Sequence, residues 1–314
     1  MSNDESGFKS GFVALAGQPN VGKSTLMNAV LGQKISAVTS KPQTTRNRIV
    51  GVHTMSGRAQ IVFVDTPGIH TPHKELNAVM VDNAWGSIGS TDLVLFMLDA
   101  QTALTREGQL NDEDARLAKR LATMGLPVVV ALNKIDRLES PEAVLPIIAA
   151  LQAVEGLTAR GFVPISALKE DGLADLVEEL IANLSPGPQF YPDDMITDQA
   201  ERFIAAELIR EKLMLQTRRE IPYSSAVTVE EFRDDTRRQL LRMRAVIHVE
   251  RDSQKGIVIG KRGARLKQIG SQARAELERF FGRKVYLDLH VTVDRDWSQN
   301  PALLRRLGYD REDY

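Results

Sequence analysis

Lys23, Ser24 and Asp65 carry the functional groups that phosphate and divalent-cation chemistry requires. A lysine ammonium can reach the β- and γ-phosphates of a nucleotide, and a serine hydroxyl is a hard oxygen ligand of the kind that Mg²⁺ prefers. Asp65 is expected to hold the same ion through a water molecule. Together these residues predict a site that binds and cleaves a nucleoside triphosphate.

The first two of these residues belong to a segment with the spacing of a phosphate-binding loop. Residues 17–25 read Gly-Gln-Pro-Asn-Val-Gly-Lys-Ser-Thr and follow an apolar run at residues 12–16, so a strand should enter the loop and a helix should leave it. The two glycines permit a tight turn that points N–H groups at phosphate oxygens, and the helix N-terminus adds positive potential. We expect nucleotide contacts from Gly17, Asn20, Val21, Gly22, Lys23, Ser24 and Thr25.

Asp65 opens a second motif, Asp65-Thr66-Pro67-Gly68, directly after the apolar run at residues 61–64. The carboxyl end of a buried strand is where open α/β sheets bind their ligands. We expect the Gly68 N–H to contact the γ-phosphate, which places Gly68 beside Lys23 among the catalytic residues.

A third motif selects the base. Asn133-Lys134-Ile135-Asp136 follows the apolar run at residues 128–132. A carboxylate at Asp136 can accept hydrogen bonds from guanine N1–H and from the exocyclic amine, whereas adenine offers no such pair of donors, so GTP is favoured over ATP. The segment Ser166-Ala167-Leu168 is expected to bring a backbone N–H to the guanine O6.

These segments resemble, in order and spacing, the GTPase domain of the translation-factor-like class of small G proteins, over residues 7–184. The resemblance implies an α/β P-loop domain with a mostly parallel sheet and helices on both faces. It also implies a switch I threonine that closes on Mg²⁺, and residues 43–46 read Gln-Thr-Thr-Arg. We expect Thr45 rather than Thr44 to be that metal ligand and, with Lys23 and Gly68, a catalytic residue. Asn20 is similar to an asparagine that helps to hold K⁺ near the phosphates in one subgroup.

One position departs from the familiar pattern. Where related GTPases carry a glutamine that orients the attacking water, this chain has Ile69. An isoleucine cannot position water, so intrinsic hydrolysis is expected to be slow. A bound cation, the substrate itself or an arginine from a partner remain alternatives for the missing function.

The second part of the chain differs in charge. Residues 1–197 hold 22 acidic and 16 basic residues, whereas residues 198–314 hold 19 acidic and 24 basic ones. The overall formal charge of −1 conceals this asymmetry. A basic half favours a polyanionic partner, and a Pro- and Gly-containing linker at residues 185–197 separates the two parts.

The basic part is predicted to contain a helix over 198–216, two strands, a Gly-x-x-Gly loop, a second helix and a final strand. This order is similar to a type II KH domain, whose loop clamps a few single-stranded nucleotides. The loop glycines allow close approach to phosphates and the flanking residues supply charge and an apolar surface at residues 257–259. RNA contacts are expected from Ile259, Gly260, Lys261, Arg262, Gly263, Arg265 and Lys267.

A GTPase domain at 7–184, a linker at 185–197, a KH domain at 198–298 and a C-terminal tail at 299–314 together resemble the Era family of bacterial GTPases. That resemblance implies that the GTP-bound form binds the 3′ end of 16S ribosomal RNA and assists assembly of the small ribosomal subunit. It implies GTP or GDP and Mg²⁺ as cofactors, a monomer, and no DNA partner.

Composition excludes other classes. The 314 residues include no cysteine, so disulfides, thiolate catalysis and cysteine metal sites are ruled out. The polar N-terminus and the lack of a long apolar run predict a soluble, cytoplasmic protein. Two alternatives stay open: a P-loop enzyme that phosphorylates a small molecule, and a switch on the cytoplasmic face of the cell membrane whose KH-like domain binds a protein.

Overall fold

The computed structural model describes residues 7–41, 44–68, 82 and 84–309. The N-terminal domain is built on a six-stranded sheet in the order β2-β3-β1-β4-β5-β6. Strand β2 runs antiparallel to β3, and the other neighbouring pairs are parallel. The predicted mostly parallel α/β sheet is therefore confirmed. The strands are β1 (Lys9–Ala16), β2 (Ile49–Met55), β3 (Ala59–Asp65), β4 (Leu93–Asp99), β5 (Val128–Asn133) and β6 (Ala159–Pro164).

Helices cover both faces of this sheet, which is why its central strands are almost continuously apolar. Val13 and Leu15 of β1 pack in one core with residues of two helices, whereas Ala14 and Ala16 pack in a second core on the opposite face with residues of two others. The first pair of helices is α1 (Lys23–Leu31) and α4 (Leu173–Asn183), and the second is α2 (Asp112–Met124) and α3 (Leu145–Gln152). A helical segment at residues 84–89 also contributes to the second core.

The C-terminal domain is a three-stranded sheet with helices packed on it. Strand β8 pairs antiparallel with β7 and parallel with β9. Buried residues of the two long helices, at residues 201–216 and 264–281, form one core with the sheet. The elements are α5 (Glu201–Gln216), β7 (Ser225–Asp235), β8 (Leu240–Val249), α6 (Asp252–Ile259), α7 (Ala264–Phe281) and β9 (Lys284–Val293). The predicted KH arrangement is confirmed, with one additional helix, α6, before the Gly-x-x-Gly loop.

The end of the described chain packs onto this domain. Helix α8 (Pro301–Arg306) follows β9, and Trp297 and Tyr309 are buried with Ala226 of β7 in a separate apolar cluster. Residues 299–309, within the segment expected as a tail, thus extend the folded KH domain. None of the described helices is long and apolar enough to cross a lipid bilayer.

Candidate functional site

The three predicted metal ligands converge at the carboxyl end of β3. The Ser24 hydroxyl donates to Asp65 Oδ2 at 2.6 Å and lies 2.9 Å from the Thr45 hydroxyl, which is itself 3.4 Å from Asp65 Oδ2. The residues come from α1, from the segment before β2 and from β3, so the sheet topology brings them together. Ser36 adds a third hydroxyl, which donates to Asp65 Oδ2 at 3.2 Å.

This cluster fits a hard divalent cation. Its donors are all oxygens, and Asp65 Oδ1 is a buried atom that has no hydrogen-bond partner among the described residues. Burial raises the pKa of the Asp65 carboxyl, although the positive charge of Lys23 and three hydroxyl hydrogen bonds oppose this. A buried carboxylate with a free oxygen is costly without a cation, so the donor set is suited to Mg²⁺.

Lys23 is buried in the phosphate-binding loop. Its ammonium donates to the carbonyl oxygens of Gly17 and Gln18, each at 3.0 Å. Burial lowers the pKa of Lys23 to about 8, and attraction to Asp65 partly opposes the shift. Phosphate oxygens at this position would give the Lys23 ammonium an anionic hydrogen-bond partner in place of neutral carbonyls.

Steric constraints explain the loop glycines. A Cβ on Gly17 would collide with the Met97 carbonyl, and one on Gly22 would collide with the Asn133 side-chain amide. Gly17 and Gly22 also have φ values of 150° and 110°, which other residues rarely adopt. The loop can therefore fold tightly against β4 and β5 only with glycine at these two places.

Gly68 lies directly against the same loop. A Cβ on Gly68 would approach the Pro19 Cα to 2.8 Å, so glycine is required there as well. Gly68 lines one cavity together with Lys23, Ser24 and Thr45. The structure therefore brings the three residues predicted as catalytic to one place. Thr25 lines that cavity as well, and so does Asn20, whose side-chain amide donates to the Ser40 carbonyl at 3.0 Å.

The remaining residues of the two phosphate motifs are structural neighbours of the site. Val21 is buried, and its carbonyl accepts from Asn133 Nδ2 at 2.7 Å. The Thr66 hydroxyl donates to the Leu15 carbonyl at 2.9 Å, which fastens the chain at the end of β3. Pro67 follows as a buried residue between Thr66 and Gly68.

The two candidate switch threonines are in different surroundings. The Thr45 side chain faces Ser24 and Asp65, whereas the Thr44 hydroxyl donates to the Lys41 carbonyl at 2.7 Å and pairs with the Thr39 hydroxyl. Of the two threonines, Thr45 is therefore the one that lies beside Ser24 and Asp65. Several residues discussed from the sequence, Pro42, Gln43 and Ile69, lie outside the described residues.

The base-binding motif is assembled by hydrogen bonds between three loops. Asn133 Oδ1 accepts from the Ala167 N–H at 2.9 Å, and the Ser166 hydroxyl donates to Asp136 Oδ1 at 2.6 Å. The Lys134 ammonium contacts the Asn20 carbonyl at 2.8 Å and Asp99 at 2.6 Å. Leu168 is exposed at the edge of this group. The motif is thereby joined to the phosphate loop.

The Gly-x-x-Gly loop connects α6 to α7. Gly260 and Gly263 have φ values of 73° and 77°, and a Cβ on Gly260 would approach Arg265 Cβ to 2.8 Å. Lys261 and Arg262 are exposed between them, and Arg262 has the unusual φ of 53°. The loop thus presents two cations on a backbone that allows close approach.

The expected apolar surface at residues 257–259 is only partly available. These residues form the last turn of α6, where Val258 is fully buried in the core and Ile257 is 43% exposed. Ile259 is half-buried. A base can therefore contact Ile257 or Ile259 but not Val258, because a helix turns successive side chains to different faces. Beyond the loop, Lys267 lines a groove between α7 and β9.

A contact between the two domains was not apparent from the sequence. The described residues 38–41 and 44–46, here called switch I, bond directly to the KH domain. The Val38 N–H donates to Glu211 Oε2 at 2.8 Å, the Lys41 ammonium donates to the Met214 carbonyl, and Arg210 donates to the Thr44 carbonyl. The partners are more than 160 residues apart, so no local pattern could have indicated them.

Arg46 forms the most deeply buried part of this junction. Its guanidinium donates to the Pro222 and Ser225 carbonyls, both at 2.7 Å, and lies 5.8 Å from the centroid of the Tyr309 ring. Burial lowers the pKa of Arg46. In contrast, the pKa of Arg210 is raised, because the attraction of Glu207 outweighs the opposing effect of burial. The residue next to Thr45 is therefore anchored in the KH domain.

Comparison with known proteins agrees with both domains. A family model described as a 50S ribosome-binding GTPase matches residues 12–134, and a KH domain model matches residues 220–298. The GTPase Era of Syntrophus aciditrophicus is 46% identical over 303 residues, which are 96% of each sequence. The GTPase Era of Geobacter metallireducens is 48% identical over 302 residues, which are 96% of this chain and 98% of the relative.

Solved structures give the same result. A crystal structure of Era in complex with MgGDPNP and nucleotides 1506–1542 of 16S ribosomal RNA has a TM-score of 0.90 at 42% identity, covering 96% of this chain and 99% of that one. A variant of Aquifex aeolicus Era bound to GDP.AlF4− gives the same TM-score and identity. A GTPase domain and a KH domain in this order, with such identity over nearly the whole length, establish that the chain belongs to the Era family and is a GTPase.

Proposed function

We propose that the chain is a GTP-controlled RNA-binding switch that binds the single-stranded 3′ end of 16S ribosomal RNA through its KH domain and assists maturation of the small ribosomal subunit. The related Era structure was solved with this class of RNA and with a Mg²⁺-bound GTP analogue. The chemistry of the two sites in this chain is consistent with both ligands.

In the nucleotide site, Lys23 neutralises the β- and γ-phosphates, and the Gly68 N–H contacts the γ-phosphate. Ser24 and Thr45 would hold Mg²⁺ directly, and Asp65 would hold it through water. When bound, that ion neutralises the charge that develops on the phosphate oxygens during hydrolysis. Asp136 reads the guanine base, held in place by the Ser166 hydroxyl. Because Ile69 replaces the water-orienting glutamine, we propose that K⁺ at Asn20 or a partner's arginine supports hydrolysis.

In the KH domain, the loop at residues 260–263 clamps the RNA backbone. Gly260 and Gly263 allow phosphates to approach, Lys261 and Arg262 supply charge, and Arg265 and Lys267 extend it along α7. Apolar contact with bases is left to Ile259 and its exposed neighbour Ile257.

The observation that carries the proposal is the attachment of switch I to the KH domain. Thr45 lies at the metal site, while the residues on either side of it, Thr44 and Arg46, bond to Arg210 and to the carbonyls of Pro222 and Ser225. A change in Thr45 when the γ-phosphate is lost must therefore alter these contacts. Such differential contacts are what couple a nucleotide state to a distant binding surface.

The test is fluorescence anisotropy of a labelled oligonucleotide matching the 3′ end of small-subunit ribosomal RNA. Binding is compared with GDP and with a non-hydrolysable GTP analogue over a series of salt concentrations. We expect tighter binding with the analogue and a salt slope that corresponds to a few phosphates. Equal or absent binding in both states would refute the proposal and would favour a switch at a membrane surface or on a protein partner.

A further inference from the structure

Some basic residues of the KH domain form ion pairs, and others do not. Those on the sheet and on the outer faces of α7 and α8 form ion pairs with carboxylates: Arg233, Arg238, Arg244, Arg274, Arg279, Arg283 and Arg306. Among the cations that have no ion-pair partner in the described residues, a second set surrounds the Gly-x-x-Gly loop: Arg218, Arg219, Lys261, Arg262, Arg265 and Lys267. Others, such as Arg237 and Arg305, lie elsewhere on the domain. Cations without an ion-pair partner are available to a polyanion, although the carboxylate of Glu220 also lines the groove described next.

Two members of the second set lie outside the predicted RNA loop. Arg218 and Arg219 belong to the segment at residues 216–221 that follows α5. This segment lines a groove of about 570 Å³ together with Ile257, Arg265 and Gln268. We call it the α5–α7 groove. It is separate from the groove between α7 and β9, to which Lys267 belongs.

The α5–α7 groove begins where the Gly-x-x-Gly loop ends. Arg265 contributes to both, because its guanidinium donates to the Ile257 carbonyl in the groove wall while its Cβ packs under Gly260. Ile257, which is 43% exposed, offers an apolar surface beside these cations. A strand of RNA clamped at Gly260 could therefore continue into the groove, with phosphates at the arginines and a base against Ile257.

Switch I contacts one of the residues that line the groove. The Lys41 ammonium donates to the Met214 and Thr217 carbonyls, and Thr217 also lines the groove. Burial lowers the pKa of Lys41, and the positive charge of Arg218 lowers it further. The cations therefore repel each other, and an anion between them would remove that repulsion.

We propose that the α5–α7 groove is a second phosphate-binding subsite for the same RNA strand, and that a phosphate bound at Arg218 and Arg219 stabilises the attachment of Lys41 to the KH domain. The subsite rests on the proposed RNA-binding function and extends it. It gives the RNA a direct route to switch I, because occupying the groove favours the Lys41 position in which Thr45 faces Ser24 and Asp65. By reciprocity, RNA that fills the groove increases the affinity for the GTP analogue, and the analogue increases the affinity for RNA by the same factor.

The experiment uses the full-length chain with Arg218→Gln and Arg219→Gln combined. The matched control is Arg237→Gln combined with Arg305→Gln, which removes the same charge from two exposed arginines elsewhere in the KH domain. Each protein is titrated with two labelled oligonucleotides, a tetranucleotide that fills only the Gly-x-x-Gly clamp and a ten-nucleotide strand that continues beyond it.

For the groove variant we expect unchanged affinity for the tetranucleotide and weaker binding of the longer strand. Each lost phosphate contact should cost about fivefold in affinity near 0.1 M salt and reduce the salt slope by about 0.7. The longer strand should also lose its effect on the affinity for the GTP analogue, while the control keeps it.

Two outcomes separate the subsite from the proposed function. If the wild-type chain binds neither oligonucleotide, the proposed RNA-binding function fails. If the wild-type chain binds both but the groove variant and its control bind the longer strand equally well, RNA binding stands and the second subsite is refuted.

Discussion

The substitution Arg46→Gln tests whether the junction between switch I and the KH domain transmits the nucleotide state. Arg46 is only 2% exposed, and its guanidinium holds the Pro222 and Ser225 carbonyls at 2.7 Å each. Glutamine is shorter and neutral, so it cannot reach both carbonyls. Thr45 itself is unchanged in this variant, and only the hydrogen bonds that hold the neighbouring residue 46 to the KH domain are weakened.

The size of the effect follows from the bonds that are lost. A hydrogen bond with a charged donor contributes about 1.5–3 kcal/mol, so two contribute about 3–6 kcal/mol before the burial of the guanidinium is considered. That burial is unfavourable, as the lowered pKa of Arg46 indicates. The net loss of coupling should therefore lie in the usual range for linked sites, about 1–3 kcal/mol, or about 5–150-fold in affinity.

The assay compares RNA affinity in the GDP state and in the GTP-analogue state. We expect Arg46→Gln to bring the two affinities together while the variant still binds GTP. Arg58→Gln is the control, because Arg58 pairs with Glu178 at an exposed position in the N-terminal domain. Unfolding in urea shows whether either variant has lost its fold.

If Arg46→Gln unfolds cooperatively like the wild-type chain and keeps the full difference in RNA affinity between the two nucleotide states, the buried junction does not carry the coupling.

Three further predictions concern single sites. Asp136→Asn should shift base preference from GTP towards xanthosine triphosphate, measured by competition with labelled nucleotide, and retained guanine preference would disprove base reading by Asp136. Gly263→Asp should abolish RNA binding, because its carboxylate repels the phosphates that the loop clamps. The fold and GTP hydrolysis should survive, because a Cβ at this position meets open space and the left-handed backbone costs only about 1–2 kcal/mol. Undiminished RNA affinity would exclude the clamp. Because the Lys23 pKa is lowered to about 8 without nucleotide and phosphates should raise it, nucleotide binding between pH 8 and 10 should take up a proton. Calorimetry in buffers of different ionisation enthalpy measures this uptake, and Lys23→Met should remove it.

The lowered pKa of Lys23 also makes the folding stability of the nucleotide-free chain depend on pH. The unfolded chain binds the Lys23 proton more tightly than the nucleotide-free folded chain does, so stability should rise as the pH increases from about 8 towards the ordinary lysine value of 10.5. Below pH 8 both states are protonated and this contribution to the pH dependence vanishes. Other groups titrate in the same range, so the comparison is between the wild-type chain and Lys23→Met.

The motifs of the candidate nucleotide site could be identified in the sequence because each of them is a short local segment. Gly17 and Asp65 lie at the carboxyl ends of β1 and β3, and Lys23 begins the helix that follows β1. A parallel sheet brings the carboxyl ends of its strands to one edge. The choice of Thr45 over Thr44 came from the family pattern, and the structure places the Thr45 hydroxyl 2.9 Å from Ser24.

Helix α6 was missed for a physical reason. Ile257, Val258 and Ile259 form a β-branched run that favours a strand by propensity. The helix is selected instead by its surroundings, because Val258 is buried in the core and Gln254 accepts from the Glu250 and Arg251 N–H groups at the helix start. Tertiary packing outweighs local propensity in such short segments.

The junction at Arg46 could not have been predicted from local patterns, and its charges explain how it can serve as a switch. Two buried guanidiniums, Arg46 and Arg210, lie near the buried carboxylate of Glu207. Arg210 pairs directly with that carboxylate, whereas Arg46 is held, within the described part of the chain, by backbone carbonyls and Tyr309. Buried charges contribute little net stability, but they strongly penalise arrangements in which they lose their partners. In this structure the carbonyls of Pro222 and Ser225 accept from Arg46 while the hydroxyl of the neighbouring Thr45 lies 2.9 Å from Ser24, so we expect the two sets of contacts to form together. Docking of switch I onto the KH domain should therefore be all or none, and a small bias from the γ-phosphate is enough to decide it.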